Sequence, residues 1–164
     1  MAALGNTTIG IQANTQFPVS ASTLSTCQFP LQVNDATVTK LSVYDTTGGN
    51  GNMRGLVYND NGNTPGSLIA ATPATSVLGG GTWNDLPFTA PFKLNVGSYW
   101  LGVIADGTRT TNSIPTTGLN VNTNDSALFP TLTSPIPASV LSSFQKAIYA
   151  TFTLPSVFSG VITN

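Results

Sequence analysis

The chain has 164 residues, a length that fits one domain with a sizeable core. Only 7% of its residues are charged, against about 25% in an ordinary soluble domain, so its polar surface must be built from Thr, Asn, Ser and Gln. The bases Lys40, Arg54, Lys93, Arg109 and Lys146 are scattered and the net charge is −1. That excludes the basic footprint of a nucleic-acid binder and electrostatic attachment to an anionic membrane.

Histidine and glutamate are both absent, and Cys27 is the only cysteine. A Ser-His-Asp or Cys-His arrangement therefore cannot be assembled, nor can the usual zinc hydrolase sites. The six aspartates each sit in or beside a turn signal, which gives no pair placed across a cleft. The expectation is a non-enzyme. One thiol makes no internal disulfide, and Cys27 alternates in phase with Phe29, so it reads as a small buried core residue.

The first residues carry neither a basic region nor an apolar run, so a secretory signal is not expected. No apolar stretch reaches the ~18–20 residues of a membrane span, so membrane insertion is not expected either. Chain order then predicts strands. Residues 37–44 alternate, with Leu41 and Val43 on one face and Lys40 and Ser42 on the other. A glycine-rich run at 47–52 reads as a hairpin loop or a flexible link, and 53–58 is the next strand. The run NDNGNTPG at 59–66 is a dense turn signal before a strand at 67–72. In 83–88, Leu86 and Phe88 share a face and Trp83 lies with Asp85.

Residues 98–105 are apolar on both faces, as a strand covered on both sides should be. Residues 108–134 predict long loops around one or two strands, and 135–144 predict a helical turn. Residues 147–154 alternate again, with Ile148, Ala150 and Phe152 opposite Tyr149, Thr151 and Thr153. The fold expected is all-β: a single-domain antiparallel β-sandwich of jelly-roll type over residues 1–154. Residues 155–164 are left as an apolar tail. Its residues Val157, Phe158, Val161 and Ile162 are expected to pack on a neighbouring subunit, as in a homo-oligomer.

Three candidate sites stand beside plainer readings. Asp60, Asn61 and Asn63 form an oxygen-rich turn that could hold a structural calcium ion, although no bidentate glutamate exists and turns use Asn and Asp for backbone reasons. No other cofactor is expected. Trp83 and Tyr58 could stack on a sugar ring, although such rings more often close the ends of a sandwich core. Autocatalytic stapling by a buried lysine is disfavoured because Lys40 and Lys93 read as solvent-facing.

Seven segments together carry a likeness: LGNTTIG at 4–10, ATVTKLSVY at 36–44, RGLVYND at 54–60, PGSLIA at 65–70, WNDLPF at 83–88, GSYWLG at 97–102 and AIYATF at 147–152. In this order they resemble a β-sandwich module of bacterial extracellular and surface proteins that also occurs as stand-alone structural genes in bacteriophages and prophages. The likeness spans roughly residues 4–154 and implies a module without catalytic residues. An exposed-surface composition without a signal peptide suggests a protein made in a host cytoplasm and displayed on a virion surface. The expectation is thus a capsid decoration or tail-fibre component whose partners are other virion proteins and a cell-surface glycan. The alternative is a carbohydrate-binding or adhesive module of a secreted bacterial protein.

Overall fold

Alternating side chains on Thr- and Val-rich segments favour pleated pairing, and turn-formers keep the segments short. The computed structural model describes residues 8–11, 22–46, 50–115, 118–123, 129, 132 and 144–155. Among these the strands are β1 (Thr8–Gly10), β2 (Ser22–Leu31), β3 (Ala36–Asp45), β4 (Gly51–Asp60), β5 (Pro65–Ala71) and β6 (Thr75–Val77). They continue with β7 (Thr82–Leu94), β8 (Gly97–Arg109), β9 (Ser113–Pro115), β10 (Asn120–Thr123), β11 (Phe144–Lys146) and β12 (Ile148–Thr153).

Two antiparallel sheets face each other, so the chain is an all-β sandwich. One sheet runs β1-β12-β3-β7; the other runs β10-β2-β8-β4-β5, with β6 also on β4, and β11 and β9 form a small two-stranded ribbon that Gln145 and Lys146 tie to β2. The core between the sheets is filled by alternate residues of both. Val38, Leu41, Val43, Leu86, Ile148, Ala150 and Phe152 come from the first sheet, and Cys27, Phe29, Met53, Val57, Leu101 and Val103 from the second. The layers approach closely at Gly55, where a Cβ would meet Leu41 Cδ1 at 2.8 Å.

The second sheet has a further apolar layer on its outer face. Leu24, Leu56, Tyr58, Trp100, Ile104 and Val121 cluster there, and Leu119, Phe129 and Leu132 pack over them. This is why 98–105 reads as apolar on both faces: β8 lies between β2 and β4, with Trp100 and Ile104 on one side and Leu101 and Val103 on the other. The region 108–134 holds the end of β8 and two short strands, β9 and β10, as its composition suggests.

Several details depart from the sequence reading. The glycine-rich run after β3 joins strands of different sheets, so it is an inter-sheet link and not a hairpin. β7 continues past Phe88 to Leu94 despite Pro87 and Pro91, because it is an edge strand and those positions need not donate to a ladder. Its pairing with β3 is irregular there, jumping from Val38↔Phe92 to Lys40↔Pro87. β2 was not singled out as a strand, yet it pairs with both β8 and β10. The helical turn expected at 135–144 falls outside the described residues except for Phe144, which opens β11. The tail residues Val157, Phe158, Val161 and Ile162 also lie outside the described residues.

Candidate ligand-binding face

Cross-strand register assembles a set of side chains on the outer face of the β1-β12-β3-β7 sheet. Trp83 of β7 is opposite Tyr44 of β3, Asp85 opposite Ser42, and Pro87 opposite Lys40. From the other side, Tyr149 of β12 is opposite Ser42 and Thr151 opposite Lys40. Residues directly opposite in an antiparallel pair share a face, so these project away from the core.

The three aromatic rings form one tier. Trp83 meets Tyr44 at a centroid distance of 5.4 Å and 71°, and Tyr149 at 5.0 Å and 64°. Both are edge-to-face contacts, each worth about 0.5–1.5 kcal/mol beyond the area they bury. β7 and β12 are separated by β3, so Trp83 and Tyr149 reach each other across that strand. Ser42 lies beneath and is fully buried, whereas the three rings stay partly exposed.

Beside the rings sits a fixed carboxylate. Lys40 Nζ donates to Asp85 Oδ2 at 2.5 Å, and Ser42 Oγ donates to Asp85 Oδ1 at 2.6 Å. The Asp85 side chain is nonetheless 54% exposed and that of Lys40 34%. Partial burial pushes the Asp85 carboxyl up, but the Lys40 and Ser42 hydrogen bonds and the lysine charge outweigh it and hold it below its ordinary value. Each oxygen has spent one acceptor direction and keeps another for a ligand. Partly exposed aromatic surface next to a few fixed polar groups is the usual chemistry of a small-molecule site.

Of the two rings named from sequence, Trp83 belongs to this face and Tyr58 does not. Tyr58 is 1% exposed, enclosed in the outer layer of the second sheet, so its ring has no face to offer a sugar. Its phenol is pushed up to about 12 by that burial. The expectation erred because Tyr58 borders a polar turn in sequence while its side chain points into the layer that Phe129 and Leu132 help to close.

The proposed calcium ligands are brought together, but in another role. Asp60 Oδ1 accepts from Trp100 Nε1 at 2.8 Å and from Gln28 Nε2 at 2.7 Å, and Oδ2 accepts from the Asn63 N–H at 3.4 Å. Gln28 Nε2 also reaches Asn63 Oδ1 at 3.5 Å. The Gln28 amide thus bridges the Asp60 and Asn63 side-chain oxygens, so hydrogen bonds link the three side chains. Asn61 serves the turn instead: its N–H donates to Thr64 O and its carbonyl accepts from Thr64 Oγ1. Gly62 and Asn63 both take positive φ, which their residue types tolerate. Among the described residues no group of three or more His, Cys, Asp or Glu side chains gathers at one point.

Tyr44, Tyr149, Asp85, Lys40 and Ser42 were not named as site residues from sequence. Alternation did place Lys40, Ser42, Tyr149 and Thr151 outward on their own strands. What it lacked was the order β12-β3-β7, which sets three separated segments side by side. Comparison with family models, curated proteins and solved structures gave no match to this chain. Function must therefore be read from its own residues.

Proposed function

We propose that the chain is a non-catalytic adhesion and assembly domain displayed on the surface of a bacteriophage particle. In this reading the Tyr44–Trp83–Tyr149 face makes the contact with the host surface. The observation that carries it is the aromatic tier itself: three rings gathered on an outer sheet face beside a fixed carboxylate. The covered outer face of the second sheet leaves that tier as the natural contact surface. The scarcity of charge and the likeness to phage and bacterial surface modules support the particle surface as its place.

Two measurements test the reading. Mass spectrometry of purified particles should contain peptides of this chain, and their absence would sink the virion assignment. Fluorescently labelled protein should bind host cell envelopes, and Trp83→Ala should abolish that binding while leaving the fold intact. A chain found only within a longer secreted bacterial protein would transfer the same face to an adhesive module of that protein.

A further inference from the structure

We infer that the ligand of this face is a neutral saccharide, one pyranose ring stacked on the Trp83 tier with two adjacent hydroxyls donating to Asp85. This rests on the reading of the face as a binding surface. Four observations define the ligand chemistry.

The tier offers partly exposed aromatic surface, which suits the apolar C–H face of a sugar ring. Trp83 and Asp85 are two residues apart on one face of β7, a separation of about 6.6–6.8 Å along the strand. That distance fits a ring lying on the indole with its hydroxyl edge at the carboxylate. Asp85 is held by one donor on each oxygen while its side chain stays 54% exposed, so both oxygens keep acceptor capacity that a vicinal diol can use. Lys40 offsets the carboxylate charge, leaving the site locally neutral. A charged ligand would shed hydration without a counter-charge to meet it, whereas hydroxyl groups are desolvated at lower cost.

The main competitor is an extended peptide added to the sheet edge at β7. That edge carries Pro87 and Pro91, which remove backbone donors, and its ladder with β3 jumps between Val38 and Lys40. Both features work against strand addition.

The test uses the full-length ¹⁵N-labelled chain in EDTA buffer, titrated with the methyl glycosides of glucose, galactose, mannose and N-acetylglucosamine. At least one should shift the Trp83 indole N–H signal saturably. The Trp100 indole, buried and bonded to Asp60, should stay fixed as an internal control. Asp85→Asn should weaken the response roughly ten- to a hundredfold, the loss expected for charge-assisted hydrogen bonds. An unchanged Trp100 signal will show that this variant is folded. Silence at Trp83 with all four glycosides, or equal binding by Asp85→Asn, overturns the saccharide inference. The envelope assay separates the two levels. Envelope binding lost in Trp83→Ala but indifferent to all four glycosides rejects the sugar and keeps the adhesive face. Envelope binding unaffected by Trp83→Ala rejects the face itself.

Discussion

The indole N–H of Trp100 donates to Asp60 Oδ1 across 2.8 Å and so ties the central strand β8 to the end of β4. Trp100 is fully buried, so its N–H has no water to fall back on. The carboxylate also receives Gln28, which joins β2 to the same point. Asp60→Ala should therefore lower stability by roughly 1–3 kcal/mol, the cost of stranding a buried donor. Asp60→Asn, which can still accept, should lose less. Guanidinium unfolding of the two variants gives the comparison. EDTA should leave the wild-type midpoint unchanged, and a fall in the midpoint would restore the calcium role.

Cys27 should be chemically silent in the native state. Burial pushes its thiol up to about 12, even though the Lys146 backbone N–H donates to Sγ at 3.0 Å and the lysine charge pulls the other way. Reactivity follows the thiolate and its access. A disulfide reagent such as DTNB at about pH 8 should titrate one thiol in denaturant and none in the native protein on the same timescale. Prompt reaction in the native protein would mean that β2 opens locally far more often than its position between β8 and β10 implies.

The sandwich was legible in the sequence because its strands announce themselves one at a time. Leu41 and Val43 against Lys40 and Ser42, or Ile148 and Phe152 against Tyr149 and Thr151, reveal each strand and its inner face by alternation alone. The burial of Cys27 and Trp100 follows from the same rule. Long-range pairing has no such local signature. Nothing near Trp83 says that Tyr149, more than sixty positions along the chain, will lie 5.0 Å away, because β12 and β7 meet only through β3. Tyr58 shows the same limit from the other side: its neighbours are polar in sequence, and Leu119, Phe129 and Leu132, which pack over its cluster, come from far along the chain.

Lys146 is 2% exposed, and its Nζ has no hydrogen-bond partner among the described residues. Desolvation lowers its ammonium group below the ordinary lysine value of 10.5, with proximity to Cys27 opposing weakly. The unfolded chain then binds more protons than the native one between the lowered value and 10.5, so this residue adds stability as pH rises through that window. Cys27 and Tyr58, both pushed up to about 12, contribute the opposite slope over higher pH. The difference between wild type and Lys146→Met isolates the lysine. The variant should be more stable by about 1–3 kcal/mol near neutral pH, and the gap should narrow as pH approaches the ordinary lysine range. A destabilised Lys146→Met would show that the amine finds a partner in solution.

A buried ion pair joins the last residues of β3 and β8, one from each sheet. Arg109 Nε donates to Asp45 Oδ2 at 2.6 Å, with Arg109 6% exposed and Asp45 fully enclosed. Gly51 leaves room for the guanidinium, since a Cβ there would collide with Arg109 Nη1. Removing the cation alone strips a buried carboxylate of its counter-charge, so Arg109→Met should cost roughly 3–5 kcal/mol. Asp45→Asn should also destabilise, but the double variant should lose clearly less than the two single losses together. A double-mutant cycle from unfolding curves measures that coupling. Strict additivity would mean that the pair contributes packing only.

The polar half of the proposed face depends on Lys40 and Ser42 holding Asp85 together. Lys40 supplies both a hydrogen bond and a charge, and Ser42 a hydrogen bond from beneath. Lys40→Met should therefore raise the Asp85 carboxyl toward its ordinary value, and Ser42→Ala should raise it less. Carboxyl ¹³C NMR titration of the two variants reads this directly. Stability should change by less than ~1 kcal/mol in Lys40→Met, because the pair is largely solvated and screened. In the wild type the contribution of Asp85 to stability and binding is present above the ordinary aspartate range and is lost as pH falls through the lowered value. If Lys40→Met leaves the Asp85 titration where it was, the ion pair is not formed in solution. The carboxylate would then meet a ligand without the fixed orientation that two adjacent hydroxyls require.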